Sequence, residues 1–144
     1  MGGNHTFTLI ALLVLITGCG GSDGGGGEVP AALPACAKPK KPIPRPEALP
    51  ESLPVPPGTV FSRVEVPFEN QSVVSGASPG SLDSTRSFYG EELEAAGYQE
   101  GRGESEPGET EALFSGQGVR GGWRANVIPG CEGAVLLTLV VVSS

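Results

Sequence analysis

The sequence predicts an α+β domain: a small antiparallel sheet with one packed helix, in the order β-β-α-β-β-β, behind a leader and a Gly/Pro-rich tether. Three observations predict it. Ten of the 14 prolines lie between Pro30 and Pro57, and seven of the 23 glycines between Gly18 and Gly27, so the residues that oppose regular structure are gathered ahead of the domain. The rest of the chain carries strand alternation and turn signals, interrupted by a single stretch of helical spacing. The 144 residues suit one domain plus a leader. We place the boundaries at 1–18 for the leader, 19–52 for the tether and 53–144 for the domain. A domain of roughly ninety residues removes about 60–65% of its surface from water, so a covalent staple would help it.

The elements follow in order. "GTVFSRVEVPF" alternates, with Val60, Ser62, Val64, Val66 and Phe68 on one face and Arg63 and Glu65 on the other. This predicts a strand with one buried face, and Pro67 suits its end or a sheet edge. A turn at Glu69–Asn70 leads to a second short strand, "QSVVSGA". The period then changes: Leu82, Thr85, Tyr89, Leu93 and Ala96 form the stripe of an amphipathic helix. Ser81 or Asp83 caps its start, Gly97 suits the left-handed residue that ends it, and Tyr98 packs back. "QEGRGESEPGET" has no periodicity and reads as a mobile loop. "EALFSGQG" and "GWRANVI" read as strands, "PGCEG" as a turn, and "AVLLTLVVV" as a last strand, apolar on both sides. Such a run predicts a central strand covered on both faces or flanked by neighbours. It is too short to cross a membrane.

Net charge is −7 over the whole chain. From Glu47 onward there are fourteen acidic residues against five basic ones, a balance of −9. An acidic domain repels phosphate backbones, which argues against a nucleic-acid partner. Lys38, Lys40, Lys41 and Arg45 sit in the proline-rich stretch, where they read as charges on a solvated spacer. Glycine at the start of that spacer makes a flexible coil, and proline an extended polyproline conformation.

Before the tether, "FTLIALLVLI" (Phe7–Ile16) is uncharged and about half the length of a membrane-spanning helix, which fits the apolar region of a secretory signal peptide. The following "ITGC" (Ile16, Thr17, Gly18, Cys19) resembles the lipobox of bacterial lipoproteins: an aliphatic residue, two small residues, then cysteine. The resemblance implies cleavage before Cys19 and acylation of its sulfur, with diacylglycerol and palmitate-type chains as the anchor. Two or more acyl chains hold a protein firmly to a bilayer, whereas one binds marginally. It therefore implies a lipid-anchored protein on the extracytoplasmic face of the cell membrane. The domain itself, with "LPVPPG", a strand and then "SFYGEELEAAGY", is similar to small envelope lipoprotein domains of high-G+C bacteria. Phe88, Tyr89, Leu93, Ala96, Gly97 and Tyr98 carry that likeness, which implies architecture and no activity.

If Cys19 is acylated, Cys36 and Cys131 remain as a pair. Outside the cytoplasm such a pair oxidises, so a Cys36–Cys131 disulfide is expected. Zinc asks for four ligands, and the sole histidine, His5, lies in the leader; no metal and no cofactor is expected.

Motifs for chemistry are sparse. "GQGVRG" (Gly116–Gly121) fits the dinucleotide pattern Gly-x-Gly-x-x-Gly, but a strand follows where that fingerprint needs a helix. Hairpin turn or bulge glycines explain it better. Glu91, Glu92 and Glu94 on the helix, with Glu104, Glu106, Glu109 and Glu111 after it, read as a solvated acidic face. A hydrolase using two of them is the distant alternative. Trp123 alternates with Ala125 and Val127 and should pack; Arg120 and Arg124 flank it, and the three are a candidate partner surface. The expectation is a non-enzymatic envelope domain that binds a protein or polymer. A module holding a small ligand between helix and sheet is the alternative.

Overall fold

A computed structural model describes residues 32–143. The leader, Cys19 and the glycine run lie outside the described residues. Six strands form one antiparallel sheet: β1 (Val60–Phe68), β2 (Gln71–Pro79), β3 (Gln99–Glu106), β4 (Glu109–Gly116), β5 (Val119–Ile128) and β6 (Cys131–Ser143). Their spatial order is β1-β2-β6-β5-β4-β3. One helix, α1 (Leu82–Ala95), connects β2 to β3. It must carry the chain from one side of the sheet to the far edge, so it lies across one face.

The antiparallel sheet and its single helix match expectation, but the strand count does not. Residues 99–106, read as a mobile loop, form β3, so the order is β-β-α-β-β-β-β. The reason is that an edge strand can be ordered by its backbone ladder alone. β3 buries no residue, and pairs Glu104 with Glu111 and Ser105 with Thr110 across the ladder. Its side chains therefore leave no apolar alternation to read.

The helix behaves as its spacing predicts. Thr85, Tyr89 and Leu93 are buried against the sheet. The Ser81 hydroxyl accepts from the Ser84 amide (3.1 Å), and the Ser84 hydroxyl accepts from the Ser81 amide (2.8 Å), a reciprocal cap. At the other end Gly97 adopts φ +82°, and the Tyr98 amide donates to the Leu93 carbonyl. Tyr98 then packs edge-on against Phe114.

Between helix and sheet lie Val74, Tyr89, Leu93, Trp123, Leu137 and Leu139, each no more than 1% exposed. Tyr89 and Trp123 stack with centroids 4.7 Å apart and planes 15° from parallel. Such a contact adds about 0.5–1.5 kcal/mol beyond area burial. Neither the Tyr89 hydroxyl nor the Trp123 indole nitrogen has a hydrogen-bond partner.

β1 departs from its expected pattern. Its register shifts between Phe61 and Arg63 and again between Glu65 and Phe68. These bulges break the alternation, so Phe61 is buried while Val66 and Phe68 stand 62% and 67% exposed. β1 is an edge, and its far half has no partner layer.

The proline-rich chain ahead of β1 is a strap on the domain. Leu33 and Ala37 pack with Ala77, Cys131 and Ala134. Ile43 donates its amide to the Phe61 carbonyl, and Leu49 and Leu53 enter the main core. Arg45 donates to the Pro50 and Leu53 carbonyls, holding the strap's own bend. Cys36 and Cys131 form the expected disulfide, joining the strap to the start of β6, with Cα atoms 5.7 Å apart.

Two predictions follow from this packing. The disulfide closes a loop across a sequence separation of 95. The double substitution Cys36→Ser/Cys131→Ser should therefore lower unfolding free energy by about 3–5 kcal/mol in urea titration; a change below about 1 kcal/mol would contradict the strap's role. Burial raises the Tyr89 pKa well above its ordinary 10.0. A phenol that the fold keeps protonated contributes stability below pH 10 that is lost as pH rises further. Tyr89→Phe removes the unpartnered hydroxyl, so it should stabilise the domain by about 1 kcal/mol and flatten the alkaline loss; a strongly destabilised variant would show that the hydroxyl has a partner.

Candidate functional site

Residues of one strand alternate between two faces, so the register assigns every side chain a side. On β6 the odd positions Leu137, Leu139 and Val141 meet the helix layer. Leu136, Thr138, Val140 and Val142 take the opposite side. Coverage of β6 on both faces, one of the two outcomes its sequence allowed, is not what forms: the strand is flanked by β2 and β5, but only one face has a helix. At one end of the open face the strap lies over Ala77 and Ala134. Beyond it the face is bare, and Leu136 and Leu113 are 43% and 59% exposed.

This open face is concave over β3 to β6. Its cavity has a volume of about 1030 Å³ and is lined by Leu113, Arg120, Gly122, Thr138, Val140 and Val142 among others. A second concavity of about 280 Å³ lies between Leu136 and the strap. Asn126, in the first, sits opposite Leu136 in the β5–β6 ladder, so the two adjoin.

The glycines of "GQGVRG" shape this surface. Gln117 and Gly118 take φ +52° and +77° in the two-residue turn between β4 and β5, which a primed hairpin turn requires. Gly121 faces the core, where a Cβ would overlap the Val140 carbonyl oxygen and stand 2.9 Å from the Phe114 ring. Gly122 faces outward and leaves the floor bare, with Leu113 Cδ2 3.4 Å from where its Cβ would be. The motif is thus a hairpin turn followed by one packing glycine, Gly121, as its sequence context indicates, with Gly122 next after it.

Charges line one rim as pairs. Arg124 Nε donates to Glu111 Oε2 at 2.5 Å and lies 3.7 Å from Glu109 Oε1. Asn126 donates to the other oxygen of Glu109. The hydrogen bond that Arg124 donates to the Glu111 carboxylate raises the Arg124 pKa above its already high ordinary value. Arg102 pairs with Glu104 at 2.7 Å. These pairs are exposed, so each contributes little to stability. They do neutralise one another. Arg120, opposite Ser115 on β4 and Val142 on β6, makes no ion pair among the described residues.

The expected trio of Trp123, Arg120 and Arg124 is therefore divided. Trp123 is 1% exposed and faces the helix, while both arginines line the opposite side. A one-residue offset on a strand accounts for the division. Leu113, Val140 and Val142 join this surface without a local motif to mark them, although the apolar run of β6, broken only by Thr138, signals apolar residues on both faces. Cys19 lies outside the described residues. None of the described glutamates is buried, and the enzyme alternative would want a carboxyl held away from water. No group of metal-ligating side chains occurs among the described residues, and no described helix is long and apolar enough to cross a membrane. No protein-family model matches the chain, and neither a curated protein nor a solved structure is significantly similar to it.

One substitution tests this account of the surface. Gly121→Ala places a methyl against backbone and ring, and should cost about 3 kcal/mol in denaturant unfolding. Unchanged stability would mean that β5 and β6 do not approach as described.

Proposed function

We propose that this chain is a cell-envelope lipoprotein: exported, acylated at Cys19, held on the extracytoplasmic face of the cell membrane, and carrying a non-enzymatic domain that binds through the open face of its sheet. The anchoring half rests on the order of apolar region, "ITGC" and glycine run in the sequence. The Cys36–Cys131 disulfide supports an oxidising compartment. The bilayer is then the first partner, through the acyl chains on Cys19.

The observation that carries the binding half is Leu113, 59% exposed in a cavity of about 1030 Å³ beside Val140, Val142 and Arg120. Apolar side chains grouped in a concavity on an otherwise acidic surface mark an interaction site. An envelope protein or polymer is the first class of partner. A small ligand is the second reading, and the concavity favours it. The space between helix and sheet is filled by Tyr89, Trp123 and Leu93, so the open face, and not that space, is where such a ligand has room.

Two experiments test the two halves. Cys19→Ala should move the protein from the membrane to the soluble fraction and abolish acyl labelling; labelling that persists contradicts the anchor. Leu113→Asp, at an exposed position, should leave the fold intact and reduce photocrosslinking to the native partner in the host envelope by about tenfold. Crosslinking at the wild-type level would place the binding surface elsewhere.

A further inference from the structure

We infer that the open face binds an anionic amphiphile, its acyl tail laid along the even positions of β6 and its carboxylate or phosphate head at Arg120; this rests on the open face being the binding face. The floor along β6 is linear and mostly apolar, with Thr138 its one hydroxyl. From Val142 through Val140 and Thr138 to Leu136 it spans seven residues, about 20 Å of extended strand, and Leu113 and Gly122 border it on the β4–β5 side. Gly122 removes a side chain at mid-floor, which keeps the channel open where a tail would cross it.

The ends of the channel differ. At the Leu136 end, the smaller cavity runs up to Cys36, Ala37 and Pro39 of the strap, an apolar wall pinned by the disulfide. At the Val142 end stands Arg120. Three arginines and two glutamates line the main cavity. Arg102 is held by Glu104, and Arg124 by Glu111. With Glu109 beside Arg124 and Asn126, three carboxylates meet three guanidinium groups along this rim, and Arg120 is the one guanidinium without an ion-pair partner among the described residues. A cationic head has no unpaired carboxylate to meet inside this cavity; an anionic head has a guanidinium, able to donate two parallel hydrogen bonds to a carboxylate or phosphate. A flat protein epitope would need neither the length nor the walls.

The test uses the full chain carrying Cys19→Ala, so that its own acyl group cannot compete. Palmitate, its phosphate-headed counterpart hexadecyl phosphate, and the matching neutral alcohol are titrated below their aggregation limits, with native mass spectrometry for stoichiometry. One amphiphile per chain is expected, and both anionic probes should bind about tenfold or more tighter than the alcohol. Arg120→Gln should bring the three within about twofold of one another by weakening only the anions. Leu113→Asp and Gly122→Val should weaken all three, with circular dichroism and Tm reporting that each variant folds. Arg102→Gln, whose arginine is already paired, should leave the preference in place. A preference that survives Arg120→Gln, or no binding of any probe by the parent chain, overturns the inference. Host crosslinking that is lost in Leu113→Asp while no amphiphile binds would overturn the amphiphile and keep the open-face reading; crosslinking unaffected by Leu113→Asp would overturn that reading itself.

Discussion

One helix cannot cover both faces of a six-stranded sheet, and the rest of this molecule is arranged around that limit. A helix of 14 residues is about 21 Å long, and six strands at their usual spacing extend about 24 Å across. The helix can serve one face and no more. Trp123, the largest core side chain, goes to that face and stacks on Tyr89, which fixes helix to sheet by the widest rings available. Everything apolar on the other face must find another layer or remain in water.

The strap is a partial second layer. Prolines make poor helices and central strands, but an extended proline-rich chain can lay small apolar residues along a surface at little entropic cost. Leu33 and Ala37 cover one end of the open face, and Leu49 and Leu53 pass round to join the main core. The disulfide ties the covered end to the first residue of β6, the strand that lies between β2 and β5. Where the strap ends, Leu136, Leu113 and the valines begin to be exposed. The binding face is thus what the strap leaves uncovered, and its end wall is the strap itself.

Much of this was legible in the sequence because it rested on local periodicity or local turn chemistry. The stripe Thr85, Tyr89, Leu93 gave the helix its buried face; Ser81 and Gly97 gave its ends. The two remaining cysteines announced their bond once Cys19 was set aside. What was hidden depended on partners distant in sequence. β3 has no apolar pattern, since an edge strand needs only a neighbour's backbone. The alternation in β1 reads as one buried face, yet two bulges and the end of the helix layer leave Val66 and Phe68 in water. Trp123, Arg120 and Arg124 look adjacent along the chain, but strand geometry sends the tryptophan inward and both arginines outward. Whether Leu113 and Val140 are core or surface depends on how many layers cover the sheet, which no single segment records. Arg120 differs from Arg124 because Ser115 stands opposite it on β4, whereas Arg124 has Glu111 opposite and Glu109 on the diagonal.

The uncovered face of β4, β5 and β6 is the proposed working surface. The decisive measurement is heteronuclear NMR of the full chain carrying Cys19→Ala, titrated with palmitate. Shift changes should be confined to Leu113, Arg120, Gly122, Thr138, Val140 and Val142 and their neighbours, with the signals of Tyr89, Leu93 and the outer helix unmoved. Changes centred on α1 or on the outer edge of β1, with the open face silent, would contradict it.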